Sequence, residues 1–118
     1  MNKIVSEKAA AAIGPYSHAT VHGSLVFTSG QLGHDMDADI TVQTRQALEE
    51  LSMVLEASGS RLSKVLKTTC FLADMNDFAA FNKVYAEVFG DHKPARSCFQ
   101  VGALPKGGKV EIEAIAEI

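Results

Sequence analysis

The chain has 118 residues, 47% of them hydrophobic, no Trp, and a formal net charge of −3. That length suits one domain covering residues 1–118, with a core of ordinary size. Its 11 Lys and Arg residues are outnumbered by 14 Asp and Glu and form no basic run, which argues against a nucleic-acid surface: such surfaces need clustered positive charge to displace counterions.

The opening MNKIVSEKAAAAIGPYS lacks the shape of a signal peptide, because its small-residue run is short and follows Glu7 and Lys8. No stretch of 18 apolar residues occurs, so no membrane span is expected and the expected compartment is the cytoplasm. Cys70 and Cys98 lie far apart in sequence with no C-x-x-C spacing and read as reduced thiols. NKIVS (2–6) predicts a short strand. GPYSHATVHG (14–23) predicts a Gly-Pro turn and a second strand, and LVFTSGQL (25–32) a third that stops at Gly30. The period then changes. Ala47, Leu48, Leu51, Val54, Leu55 and Ser58 recur at steps of three and four, which predicts a helix over 40–58 with Asp39 as N-cap and Gly59 just beyond its end. SKVLKTTCFLA (63–73) returns to strand composition. Asn76 or Asp77 caps a second helix, with Phe78, Phe81, Tyr85, Val88 and Phe89 as its stripe and Gly90 as its stop. ARSCFQVGA (95–103) and KVEIEAIAEI (109–118) are the last two strands, joined through LPKGG.

The order is therefore β-β-β-α-β-α-β-β, an α+β domain whose two helices cover one face of a sheet. On the last strand Val110, Ile112, Ala114 and Ala116 share a face, and Glu111 and Glu113 share the other. The uncovered face is expected to carry Arg96, Cys98, Gln100, Glu111 and Glu113, with Phe71 or Cys70 among them. So mixed a face suggests contact with another subunit. Arg96 is the odd residue: a strand arginine is usually solvated, yet this one alternates in phase with a cysteine.

Several motifs fall short of a chemistry. Asp35, Asp37 and Asp39 begin like a calcium loop, but Ile40 stands where Gly is needed and Gln46 where a bidentate Glu is needed. They read as a solvated turn ending in the N-cap. His18 and His22 have helical zinc spacing in a strand-like run, where four residues span roughly 13 Å, too far to share one ion; they read as surface or core histidines. His34 and His92 fall in loops. LPKGGK has Gly at 108 where a phosphate loop needs Lys, and no helix follows. No histidine is tied to Cys98, which reads as a small buried thiol.

Four stretches, AAIGPYSHA (11–19), FTSGQL (27–32), DFAAFNKVYAEVFG (77–90) and KPARSCFQVGALPKGGKVEIEAIA (93–116), resemble in order and spacing the reactive intermediate deaminase family, also called the YjgF or RidA family. The resemblance spans nearly the whole chain. It implies a chorismate-mutase-like fold related to the ferredoxin-like one, with one mixed sheet and two helices on one face, and a homotrimer whose sheets form a central barrel with ligand sites in the clefts between subunits. The implied reaction is hydrolysis of 2-imino acids, released as enamines by pyridoxal-phosphate enzymes, to 2-keto acids and ammonia, without metal or cofactor. By the same resemblance Arg96 binds the substrate carboxylate and Glu111 places and polarises the attacking water. Tyr16 and Ser29 line the site, Gly30 lets backbone approach the ligand, Asn82 shapes the pocket, and Cys98 presents backbone groups near it. The turn LGHDMDAD is shorter than that family's usual proline-containing turn, and substrate preference is the property it would alter. The implied partners are small 2-imino and 2-keto acids, not nucleic acid or membrane. Two other functions fit the same residues: a non-catalytic module binding small carboxylates, and an endoribonuclease-type translation inhibitor.

Overall fold

The computed structural model describes residues 1–118. Three short strands come first, β1 (Asn2–Ile4), β2 (Ala19–His22) and β3 (Leu25–Thr28), and then β4 (Gln31–Leu32). Helix α1 (Ile40–Ala57), β5 (Val65–Leu72), α2 (Phe78–Phe89), β6 (Ala95–Gln100) and β7 (Val110–Glu117) follow. The sheet order is β1-β2-β3-β7-β5-β6, with β4 also paired to β7. All pairs are antiparallel except β5 and β6, which α2 connects as a parallel crossover. The fold is thus an α+β mixed sheet with two helices, and no helix is long and apolar enough to cross a membrane.

Helix α1 begins where Asp39 accepts a hydrogen bond from the Val42 N–H at 3.0 Å, and it stops before Gly59, whose φ of +84° suits a residue without a Cβ. Ala47, Leu48, Leu51, Val54 and Leu55 are buried along one stripe, against Val26, Val65, Cys70, Leu72, Ile112 and Ala116 of the sheet. Truncating Leu51 to Ala in such a core removes about 2–5 kcal/mol of stability. Helix α2 adds Phe81, Val84, Tyr85 and Phe89 to the same core and ends at Gly90, φ +59°.

The strands are shorter than expected. NKIVS pairs only over Asn2–Ile4, and of GPYSHATVHG only Ala19–His22 pairs. Past Thr28 the chain breaks at Ser29–Gly30 and resumes as β4 on the same edge of β7. At the break the Thr28 hydroxyl oxygen accepts the Ala114 N–H at 3.0 Å, so a side chain takes over where the backbone ladder lapses. A 3-10 turn (Leu62–Lys64) stands where SKVLKTTCFLA was expected to begin as strand, and another (Met75–Asp77) precedes α2. Neither Asn76 nor Asp77 caps that helix by side chain. Asp74 does the capping one step earlier, accepting the Asn76 N–H at 2.8 Å.

One expectation about faces is overturned. In register, Cys98 stands opposite Cys70, and Cys70 opposite Ile112. Ile112 belongs to the buried, helix-covered face, so Arg96, Cys98 and Gln100 lie on that face as well. The uncovered face carries Glu111, Glu113, Ile115, Phe71, Phe99 and Phe27. Phe71 and Phe99 meet edge to face there at 5.2 Å, and Phe99 remains 46% exposed. Alternation along a strand tells which residues share a face; only the neighbouring strand's register tells which face it is.

Candidate functional site

Glu111 projects from β7 on the uncovered face, with Leu32 of β4 and Phe71 of β5 as its backbone neighbours. The break at Ser29–Gly30 lies beneath it. A Cβ placed on Gly30 would stand 2.7 Å from the Glu111 carboxyl carbon, so the glycine is there to make room for this carboxylate. The corner is pinned from behind. Ser29 donates its backbone N–H to His18 O at 2.9 Å and its hydroxyl to Ser17 O at 2.7 Å. Tyr16 follows a tight turn at Gly14, φ +119°, and its hydroxyl oxygen accepts the Ile13 N–H at 3.3 Å. Together these segments wall an open cleft of about 560 Å³, with Tyr16, Ser29, Gly30 and Glu111 on its surface.

A fully buried histidine holds the near wall. His18 Nδ1 accepts the Ser6 N–H and its Nε2 lies against Ala10 O, both at 2.8 Å. A backbone donor at one nitrogen and a carbonyl at the other fix the neutral ring with its proton on Nε2. Glu50 of α1 accepts the Ala10 N–H at 2.7 Å. The small-residue stretch 9–13 is thereby strapped over β2 and α1, and Ala10, Ala11 and Ile13 become one side of the cleft. His18 is thus a core histidine, and His22 is exposed on β2.

Burial raises the Glu111 carboxyl pKa above the ordinary carboxylate value, and the Glu113 charge on the same strand face raises it further. A carboxylate so placed binds a proton more readily than one in water, which is what a general base requires.

Arg96 lies elsewhere. It is on the edge strand β6, opposite Thr68, with its guanidinium turned toward α2. Its carbon centre stands 4.8 Å from the Tyr85 ring and 5.5 Å from the Phe78 and Phe81 rings, and Nη1 donates to Asn82 Oδ1 at 2.7 Å. The Tyr85 hydroxyl is itself tied to Thr68 Oγ1 at 2.7 Å. Arg96 is therefore held in an aromatic bay by cation–π attraction and one directed hydrogen bond. The Cys98 thiol beside it is pushed up by burial, only partly offset by the Arg96 charge, and burial takes Cys70 up to about 12. Both stay protonated near neutrality, which argues against either as nucleophile.

The expected site residues thus fall into two groups. Tyr16, Ser29, Gly30 and Glu111 gather in the cleft; Arg96 and Asn82 gather at the β6 edge, with Cys98 alongside. Within one chain these groups are on opposite faces and two strands apart, roughly 10 Å at the usual strand spacing. No local sequence signal marks the strap at 9–13 or Lys106 in the cleft lining. Lys106 has a φ of +59°, the only non-glycine residue with positive φ, and LPKGG had read as a plain turn.

The chain matches the endoribonuclease L-PSP family over residues 6–118. It is 49% identical to a "RutC family protein" of Pyrococcus horikoshii, across 96% of this chain and 94% of that one. It is 46% identical to the 2-iminobutanoate/2-iminopropanoate deaminase of Salmonella typhimurium, again over 96% and 94%. The crystal structure of E. coli TdcF with bound serine superposes with a TM-score of 0.94 at 41% identity, covering 100% of this chain and 99% of that one.

Proposed function

The chain belongs to the endoribonuclease L-PSP family, and on that footing we propose that it is a cytoplasmic 2-iminobutanoate/2-iminopropanoate deaminase, hydrolysing 2-imino acids to 2-keto acids and ammonia. The observation that carries the chemistry is Glu111: a partly desolvated carboxylate with raised proton affinity, placed over Gly30 in an open cleft. Glu111 takes a proton from water as the water oxygen bonds to the imine carbon and the C=N electron pair moves to nitrogen. It then returns the proton to that nitrogen. The carbinolamine then collapses: its hydroxyl proton passes to the nitrogen, the C–N bond breaks, and ammonia leaves as the ketone forms. An imine is already electrophilic, so positioning and proton transfer suffice, without a cofactor.

The separation of Arg96 from Glu111 bears on assembly. A small imino acid held by both needs the β6 edge of one copy against the cleft of another, and a homotrimer of one-domain chains supplies three such junctions. The apolar side chains of the uncovered face, Phe27, Phe71, Phe99 and Ile115, support its use as the packing surface. At the junction the Arg96 fork grips the substrate carboxylate, Tyr16 and Ser29 line the pocket, and Asn82 and the Cys98 backbone shape the Arg96 side. The net charge of −3 works against the polyanion-binding reading that the family description carries. The test is ammonia and keto-acid release from 2-iminobutanoate and 2-iminopropanoate generated in situ. Release above the uncatalysed rate, unchanged by EDTA, is the expected result; no acceleration rejects the reading in favour of a carboxylate-binding module.

A further inference from the structure

Lys106 occupies a backbone conformation that lysine disfavours. It sits at φ 59°, ψ 16°, followed by Gly107 at φ 71°, in a turn closed by the Gly108 N–H to Pro105 O bond at 3.0 Å. Two consecutive left-handed residues are the preserve of Gly, Asn and Asp. A lysine at the first of them points to a use for its side chain. Lys106 is exposed, lines the Glu111 cleft and is the only Lys or Arg to do so. No carboxylate pairs with it, since the one ion pair of the chain joins Arg45 to Glu87. The remaining charge at the cleft is negative: Glu111 inside, Glu113 beside it on the strand, and a net −3 over the chain. Alone, that field repels a small carboxylate on its approach, and the Arg96 that grips it in the deaminase reading comes from another copy across the junction.

We propose that Lys106 is a specificity-determining residue, a second cation at the Glu111 cleft that draws anionic substrates in ahead of the Arg96 grip and so favours imino acids over neutral imines. This rests on the deaminase reading for its substrate class. Glu111 must stay unpaired to act as a base, so a cation that assists an anion's entry has to lie near it but not be bonded to it. Lys106 meets that condition, since it lines the same cleft as Glu111 and forms no ion pair with it.

The test uses Lys106→Asn, which keeps a residue tolerant of the left-handed conformation and removes the charge, and Lys106→Arg, which keeps the charge. Calorimetric titration with pyruvate and with its neutral amide is run at low and high salt beside imine-hydrolysis kinetics. In Lys106→Asn, KM and the pyruvate Kd rise about 3- to 20-fold at low salt, as expected for one charge at close range in a surface cleft. The difference shrinks at high salt, kcat holds, pyruvamide binding is unchanged, and Lys106→Arg restores pyruvate binding. The inference is overturned if Lys106→Asn binds pyruvate as tightly as wild type, if the loss is independent of salt, if pyruvamide weakens equally, or if wild type binds no keto acid. Should wild type bind pyruvate yet hydrolyse no imine, the deaminase reading fails while the titrations still decide the role of Lys106.

Discussion

At the cleft, Glu111 is a charge made uncomfortable: burial and a like-charged neighbour both favour its protonated form, and no hydrogen-bond donor steadies the carboxylate. At the β6 edge, Arg96 is a charge made comfortable, set among three aromatic rings with Asn82 accepting from Nη1. Different elements do this work. The cleft is assembled from turns at Gly14, Ser29–Gly30 and Pro105–Gly108, the edge from one strand and one helix. The contrast teaches why a chain keeps the two on opposite faces. An arginine within about 4–6 Å would lower the carboxyl pKa by 1–3 units and quench the base. Apart, each keeps its property until a substrate carboxylate engages the guanidinium.

The harshest test of the cleft is Glu111→Gln. Loss of a general base is expected to lower kcat/KM by about 10²- to 10⁴-fold in the ammonia-release assay. The same variant should melt higher near neutral pH. A carboxyl whose pKa is raised in the folded state contributes stability that is present below its unfolded value and lost as pH rises through the folded value. The wild-type protein therefore carries an unfavourable charge at pH 7 that glutamine removes. The acid limb of the wild-type rate profile should lie above the ordinary carboxylate range for the same reason. A variant that melts lower would show that the carboxylate is steadied by contacts absent from a single chain.

Arg96→Ala tests the other region. Removing two charge-assisted bonds, at about 1.5–3 kcal/mol each, is expected to lower kcat/KM by about 10²- to 10⁴-fold, with partial recovery in Arg96→Lys. Mixing the two inactive variants sharpens the comparison. If the halves of a site come from different copies, co-refolded Arg96→Ala and Glu111→Gln chains restore about a quarter of the sites in a cyclic assembly. If both come from one chain, activity stays at background.

The smallest effect is expected at Asn82→Ala. It removes one oriented acceptor and leaves the aromatic bay, so KM should rise about 3- to 10-fold with kcat held, at the net value of an ordinary hydrogen bond, about 0.5–1.5 kcal/mol. A fall in kcat alone would place Asn82 in proton transfer instead.

Helix α1 was legible nearly to the residue because Asp39, Gly59 and an unbroken apolar stripe agree with one another. The Glu111 side of β7 was legible too, since its alternation has no exceptions. What escaped was relational. Arg96 was placed on the uncovered face because strand β6 alone cannot say which way its odd and even residues turn; the Cys70–Cys98 register decides it. Phe78, Phe81 and Tyr85 read as a core stripe, and they are one, but their rings also hold an arginine that a linear pattern does not bring near them. The interruption at Ser29–Gly30 hid inside an apolar run, and its cause, a carboxylate 81 positions later in the chain, leaves no local trace.

The Gly30–Glu111 contact gives this chain a direction in sequence space. While the carboxylate keeps this position, any side chain at position 30 pushes it aside, so glycine is favoured there by its distant neighbour and not by its own backbone. Loss of Glu111 lifts that constraint at once, and position 30 becomes free to drift. After a single drift the space for the carboxylate is gone, and restoring Glu111 no longer restores the cleft. A descendant that abandons the base is thereby committed, one substitution later, to a life as something other than a catalyst.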